Sequence, residues 1–140
     1  QAYRIIVDEI PQPESRDKPK IGLKLQMRYS IPLFAYGQGV VTQRTGAHHA
    51  FLEPENLSWR VIRDNGQPAI EITNRDQIHA RISQVTVQQG GQSRILAEGL
   101  LGYVLPGQAR VFPLPAGVPQ PTQLSASVNA REAKWHAAAR

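Results

Sequence analysis

The nine residues from 23 to 31 read Leu, Lys, Leu, Gln, Met, Arg, Tyr, Ser, Ile, apolar at every odd position and polar at every even one. That is the period of a β-strand, whose successive side chains point to opposite faces; a helix would scatter the same residues around its circumference. Leu23, Leu25, Met27, Tyr29 and Ile31 therefore share one face, with Lys24, Gln26, Arg28 and Ser30 on the other. Upstream, Tyr3-Arg4-Ile5-Ile6-Val7-Asp8-Glu9-Ile10 is rich in β-branched residues and is ended by Pro11. The polar stretch 11–20, with three prolines and mixed charges, predicts a loop. Pro32 predicts either the end of the alternating pattern or an edge position, with residues 33–37 continuing extended.

Past a stretch with no clear periodicity at 37–56, short strand candidates recur at 57–62, 69–73, 80–88, 94–96, 109–114 and 123–129. Asp64-Asn65-Gly66, Gln89-Gly90-Gly91, Pro106-Gly107 and the prolines of 113–121 punctuate them. Short strands at this spacing predict an all-β sandwich or barrel. The tail 130–140 has helical propensity but no cap, and is expected to form a helix or to fray. The organisation is lopsided. Residues 57–129 supply enough strands for a sandwich of about seven, whereas 1–36 supply two long strands whose apolar faces a lone hairpin cannot bury.

Composition closes off several kinds of chemistry. With no cysteine in 140 residues, disulfides, thiolate metal sites and cysteine nucleophiles are excluded. A net charge of +5 favours acidic partners. The basic residues, however, are dispersed among apolar strand positions and form no stripe or aromatic-rich basic strand, which argues against nucleic acid. His48 and His49 are adjacent and on a strand would face opposite ways, while His79 and His136 stand alone, so no zinc site is expected. Asp8 and Glu9 are adjacent and sit beside basic residues rather than forming a catalytic carboxylate pair. Ser30, Ser58, Ser83 and Ser93 lack a nucleophile-elbow context, and Gly90-Gly91 suits a hairpin turn rather than a phosphate loop. Trp59 and Trp135 read as packing residues. No catalytic residue, cofactor or small-molecule substrate is expected.

The two long strands, read as Tyr3 to Pro11 and Gly22-Leu23-Lys24-Leu25-Gln26-Met27-Arg28-Tyr29-Ser30-Ile31-Pro32-Leu33-Phe34, resemble the last two strands of the first domain of a periplasmic chaperone of the chaperone–usher pathway. The branch it resembles works with subunits of the spore-coat-U type. Asn56-Leu57-Ser58-Trp59, Ile70-Glu71-Ile72-Thr73-Asn74, Gly102-Tyr103-Val104-Leu105-Pro106-Gly107 and Val111-Phe112-Pro113-Leu114-Pro115 follow the second domain of that family in order. The resemblance spans nearly the whole chain as an ordered set of segments, with no single decisive motif.

The resemblance implies an immunoglobulin-like β-sandwich at 57–140, a linker or crossover at 37–56, and the closing strand pair of a first immunoglobulin-like domain at 1–36. Two such domains need about 200 residues, so the front of the first domain is expected to be missing. It further implies a non-enzymatic periplasmic protein that caps pilus subunits by donating a β-strand and delivers them to an outer-membrane usher. Leu23, Leu25, Met27, Tyr29 and Ile31 would be the donor residues, entering the open groove of the subunit. Alternation alone leaves a second destination open, namely the core of their own domain. Such chaperones also anchor the subunit's terminal carboxylate with basic residues. Pro32 stands where many relatives carry a lysine, leaving Arg4 as the candidate anchor, with an exposed structural arginine as the alternative. An immunoglobulin-like adhesion or protein-binding module is the rival function. The uncovered strands 3–10 and 23–34 also lead us to expect a homodimer.

Overall fold

The computed structural model describes residues 1–10, 26–38, 40, 56–130 and 134–139. Every regular element among them is a β-strand, with no helix, and all strand pairs are antiparallel. The chain divides into two units, Gln1–Gly37 and Gln38–Arg140.

In the first unit, β1 (Ala2–Asp8) pairs with β2 (Arg28–Phe34) to form a two-stranded sheet. The register sets Tyr3 opposite Leu33, Ile5 opposite Ile31 and Val7 opposite Tyr29. The ladder extends beyond both strand ends: the amide of Ala35 donates to the carbonyl of Gln1 at 2.8 Å, and that of Glu9 to Met27 at 3.1 Å. The strand does not stop at Pro32. It continues to Phe34 because the odd-numbered residues exchange the hydrogen bonds between β1 and β2. The missing N–H of Pro32 therefore falls on the outer edge, where no ladder bond is lost. The loop expected at 11–20, together with Leu23 and Leu25, lies outside the described residues, as does most of 37–56.

The second unit contains two sheets. One has the order β3 (Leu57–Asp64), β4 (Gln67–Asn74), β7 (Ala109–Pro113). The other has the order β6 (Gln92–Val104), β5 (Ala80–Gln89), β8 (Gln123–Val128), β9 (Lys134–Ala138). Trp59, Ile70, Ile72 and Phe112 from the first sheet join Ile82, Val85, Val87, Val104, Leu124, Ala126 and Val128 from the second in one buried cluster, consistent with a β-sandwich. The hairpins fall at the turn signals in the sequence. Asn65 and Gly66 take φ of 49° and 81°, and Gly90 and Gly91 take 58° and 79°. Two successive left-handed residues match the right-handed twist of the strands they join, and Gly or Asn adopts them at least cost.

Three features of this unit differ from a simple reading of its sequence. Strand β6 runs for 13 residues, far beyond the 94–96 segment, because pairing with β5 carries it through Gly99 and Gly102, residues that weaken strand propensity. On β5 the inward row switches from Ala80 and Ile82 to Val85 and Val87. The extra residue is absorbed at Gln84, whose φ is 50°, where the register with β6 shifts. The described part of the tail forms neither a helix nor a frayed end. Residues 134–138 are strand β9, hydrogen-bonded along the edge of β8. Trp135 and Ala137 alternate inward against the core, and the Trp59 indole Nε1 donates to the Ala137 carbonyl at 3.1 Å. Burial and edge pairing here outweigh the helical preference of an alanine-rich segment.

Asn74 closes β4 with a fully buried side chain and no unmet polar atom. Its Nδ2 donates to the carbonyls of Ile78 (2.8 Å) and Val104 (3.1 Å), and its Oδ1 accepts from the Asp76 amide at 2.9 Å. One side chain thus ties the end of β4, the following turn and the end of β6. Replacing Asn74 by Ala leaves those backbone groups without their partner, and we expect a loss of roughly 2–4 kcal/mol of unfolding free energy. Urea denaturation measures this, and a change below about 1 kcal/mol would show that the brace is dispensable.

Candidate functional site

A hydrogen-bonded sheet brings directly opposed residues onto the same face. In the first unit this rule collects Tyr3, Ile5 and Val7 from β1 with Tyr29, Ile31 and Leu33 from β2 into one apolar surface. All six are between 44% and 53% exposed. Met27 extends the row past the end of β2, and its Sδ accepts a hydrogen bond from the Tyr29 hydroxyl at 3.3 Å. Full burial of such a side chain is worth about 1.5–3 kcal/mol, so on the order of 1 kcal/mol remains to be gained at each. Nothing among the described residues of this unit is fully buried.

The opposite face is mixed. It carries Arg4 opposite Pro32, Ile6 opposite Ser30, and Asp8 opposite Arg28. Arg28 grips Asp8 with both arms, Nε to Oδ1 and Nη2 to Oδ2 at 3.1 Å. The pair is exposed, so it contributes to pairing register more than to stability. Arg4 is exposed and makes no ion pair among the described residues.

Of the donor residues expected from the sequence, Met27, Tyr29 and Ile31 share one face, while Leu23 and Leu25 lie outside the described residues. Arg4 sits on the other face from this row. Leu33 belongs to the row but was not among the expected donors; its parity matches that of Ile31, and the proline between them concealed the continuation. Tyr3, Ile5 and Val7 were also missing from that set, because no periodicity within one strand reveals which residues of another lie beside it.

Elsewhere the second unit has a shallow polar depression of about 400 Å³ on the outer side of its larger sheet, lined by Thr86, Gln88, Gln123, Ser125, Lys134 and His136 among others. Among the described residues no carboxylate lines it. Among the described residues no three His, Cys, Asp or Glu side chains come together as a metal-binding group. His48 and His49 lie outside the described residues. His79 precedes β5, half-buried with its ring centroid 6.0 Å from that of Tyr103, and burial lowers its pKa below the ordinary 6.5.

In comparisons with known proteins, no family model matches the chain and no curated protein matches it.

The His79 environment makes a pH prediction. Because the folded pKa is depressed, the unfolded chain takes up the proton first as pH falls below 6.5. The contribution of His79 to stability is therefore present above that pH and is lost as pH falls towards the folded pKa. We expect the unfolding temperature of the second unit to drop between pH 7.5 and 5, and His79→Gln to flatten that slope. An identical slope in the variant would remove His79 from the account.

Proposed function

We propose that this chain belongs to a periplasmic chaperone of the chaperone–usher pathway, one that caps fibre subunits by lending them a β-strand. The carrying observation is the apolar row of Tyr29, Ile31 and Leu33 on β2, extended by Met27 just before it, half-exposed on a two-stranded sheet. In strand donation, main-chain hydrogen bonds supply general affinity, and alternate side chains filling a groove supply selectivity. The sequence alternation continues this row upstream through Leu25 and Leu23. Residues 1–36 would then be the closing strand pair of a first immunoglobulin-like domain, 37–56 the linker, and 57–140 a second such domain. The two-sheet core of the second unit is compatible with that assignment.

On this reading the protein acts without catalysis or nucleotide. The subunit's final pairing with another subunit is more favourable than its pairing with the chaperone, and that difference drives release at the outer-membrane usher. Arg4 would hold the subunit's terminal carboxylate, since a guanidinium stays charged and offers a bidentate fork. The rival, an immunoglobulin-like adhesion or protein-binding module, shares the scaffold but needs no apolar strand to enter a partner's core.

The test compares Ile31→Asp with Ser30→Asp during co-purification with a spore-coat-U-type subunit. Ile31 points into the apolar row and Ser30 away from it. An unpaired charge buried in the groove costs several kcal/mol, so Ile31→Asp should weaken capture about 100-fold or more. Ser30→Asp, an exposed change, should stay within about ±0.5 kcal/mol. Equal losses would rule out donation through this face, and binding that survives both changes would favour the rival module.

A further inference from the structure

The two outer edges of the β1–β2 sheet are not equivalent. Hydrogen bonds at Gln1/Ala35 and Glu9/Met27 show that odd-numbered residues face across the ladder. The main-chain groups of even-numbered residues consequently point outward. On β2 those are Arg28, Ser30, Pro32 and Phe34, and Pro32 removes a donor from the middle of the edge. On β1 they are Ala2, Arg4, Ile6 and Asp8, with every donor present. Among the described residues no strand pairs with this edge of β1, and an edge of that kind recruits another strand.

The side chains on that edge are self-complementary. Arg4 and Asp8 lie two residues either side of Ile6, on one face of the sheet. We propose that two copies of this chain pair antiparallel through β1 about a two-fold axis at Ile6, with Arg4 of each copy beside Asp8 of the other. In this register the outward groups of residues 4, 6 and 8 meet their counterparts, giving about six main-chain hydrogen bonds. Each Asp8, already held by Arg28 of its own chain, gains a second guanidinium on its other side. Arg4, which has no ion pair among the described residues, gains a partner. Opposite charges across strands favour a register and like charges disfavour it. An axis at residue 4 opposes two arginines and one at residue 8 opposes two aspartates, while axes at 5 or 7 leave both charges unmatched. On the reverse face the pairing joins the two apolar rows edge to edge, with Ile5 of one copy beside Val7 of the other. This proposal does not rest on the chaperone reading.

Charge reversal in the 140-residue chain tests it by sedimentation equilibrium. The parent chain should dimerise. Arg4→Asp alone and Asp8→Arg alone should each weaken self-association at least tenfold, since each opposes like charges at both symmetric positions. An equimolar mixture of the two variants should associate as tightly as the parent, because both charge pairs are restored between unlike chains. The chain has no native cysteine, so Ile6→Cys should oxidise to a covalent dimer, its two copies meeting at the axis at a Cα separation within disulfide range. Ile5→Cys, displaced from the axis, should cross-link far more slowly. A monomeric parent, an unaffected Arg4→Asp variant, a mixture no tighter than its components, or equal cross-linking at positions 5 and 6 would overturn the proposal.

Discussion

Ile70 and Ile72 on one sheet and Ile82, Val85 and Val87 on the other are excluded from water together, and most of the second unit is arranged to permit this. A sheet with one apolar face is stable only when a second layer covers it. Here each sheet covers the other. Strand β9 extends the larger sheet, and Trp59, on the smaller, hydrogen-bonds to the backbone of β9. That contact ties the last strand to an element nearly 80 residues earlier.

The same requirement explains the local irregularities. An inward row cannot change parity in a regular strand, so β5 bulges at Gln84 to bring Val85 and Val87 inward after Ile82. Gly102 leaves room for Phe112, whose ring carbon comes within 3.1 Å of where a β-carbon would stand. Arg110 lies over that ring, its guanidinium carbon 5.5 Å from the centroid, and donates to the Tyr103 carbonyl at 3.2 Å. At the end of β4, where the backbone leaves the sheet, buried Asn74 meets the polar groups that the strands no longer pair.

In the first unit two strands stand without a second layer among the described residues, and the consequence is chemical. The apolar row that a second layer would cover in a sandwich stays half-exposed, and the other face carries Arg4, Arg28 and Asp8. The unit thus presents an apolar face and, at right angles to it, the outer edge of β1. Pro32 makes the β2 edge poorer in donors without disturbing the ladder within the sheet.

Much of this was legible in the sequence because a strand's two faces follow from parity alone. The alternation from Leu23 to Ile31 correctly placed Met27, Tyr29 and Ile31 together, and Asn65-Gly66 and Gly90-Gly91 marked their hairpins because few residues tolerate positive φ. Strand β9 was hidden, since alanine-rich segments favour helix until an unpaired edge and a partly buried Trp135 are available. The full length of β6 and the bulge at Gln84 were hidden for a related reason: both depend on pairing with a strand whose register no local pattern specifies. Parity told which residues of β2 travel together. Only the tertiary structure decided that Tyr3, Ile5 and Val7 lie beside them and that Arg4 lies on the opposite face, because cross-strand register depends on long-range hydrogen bonding and not on either strand alone.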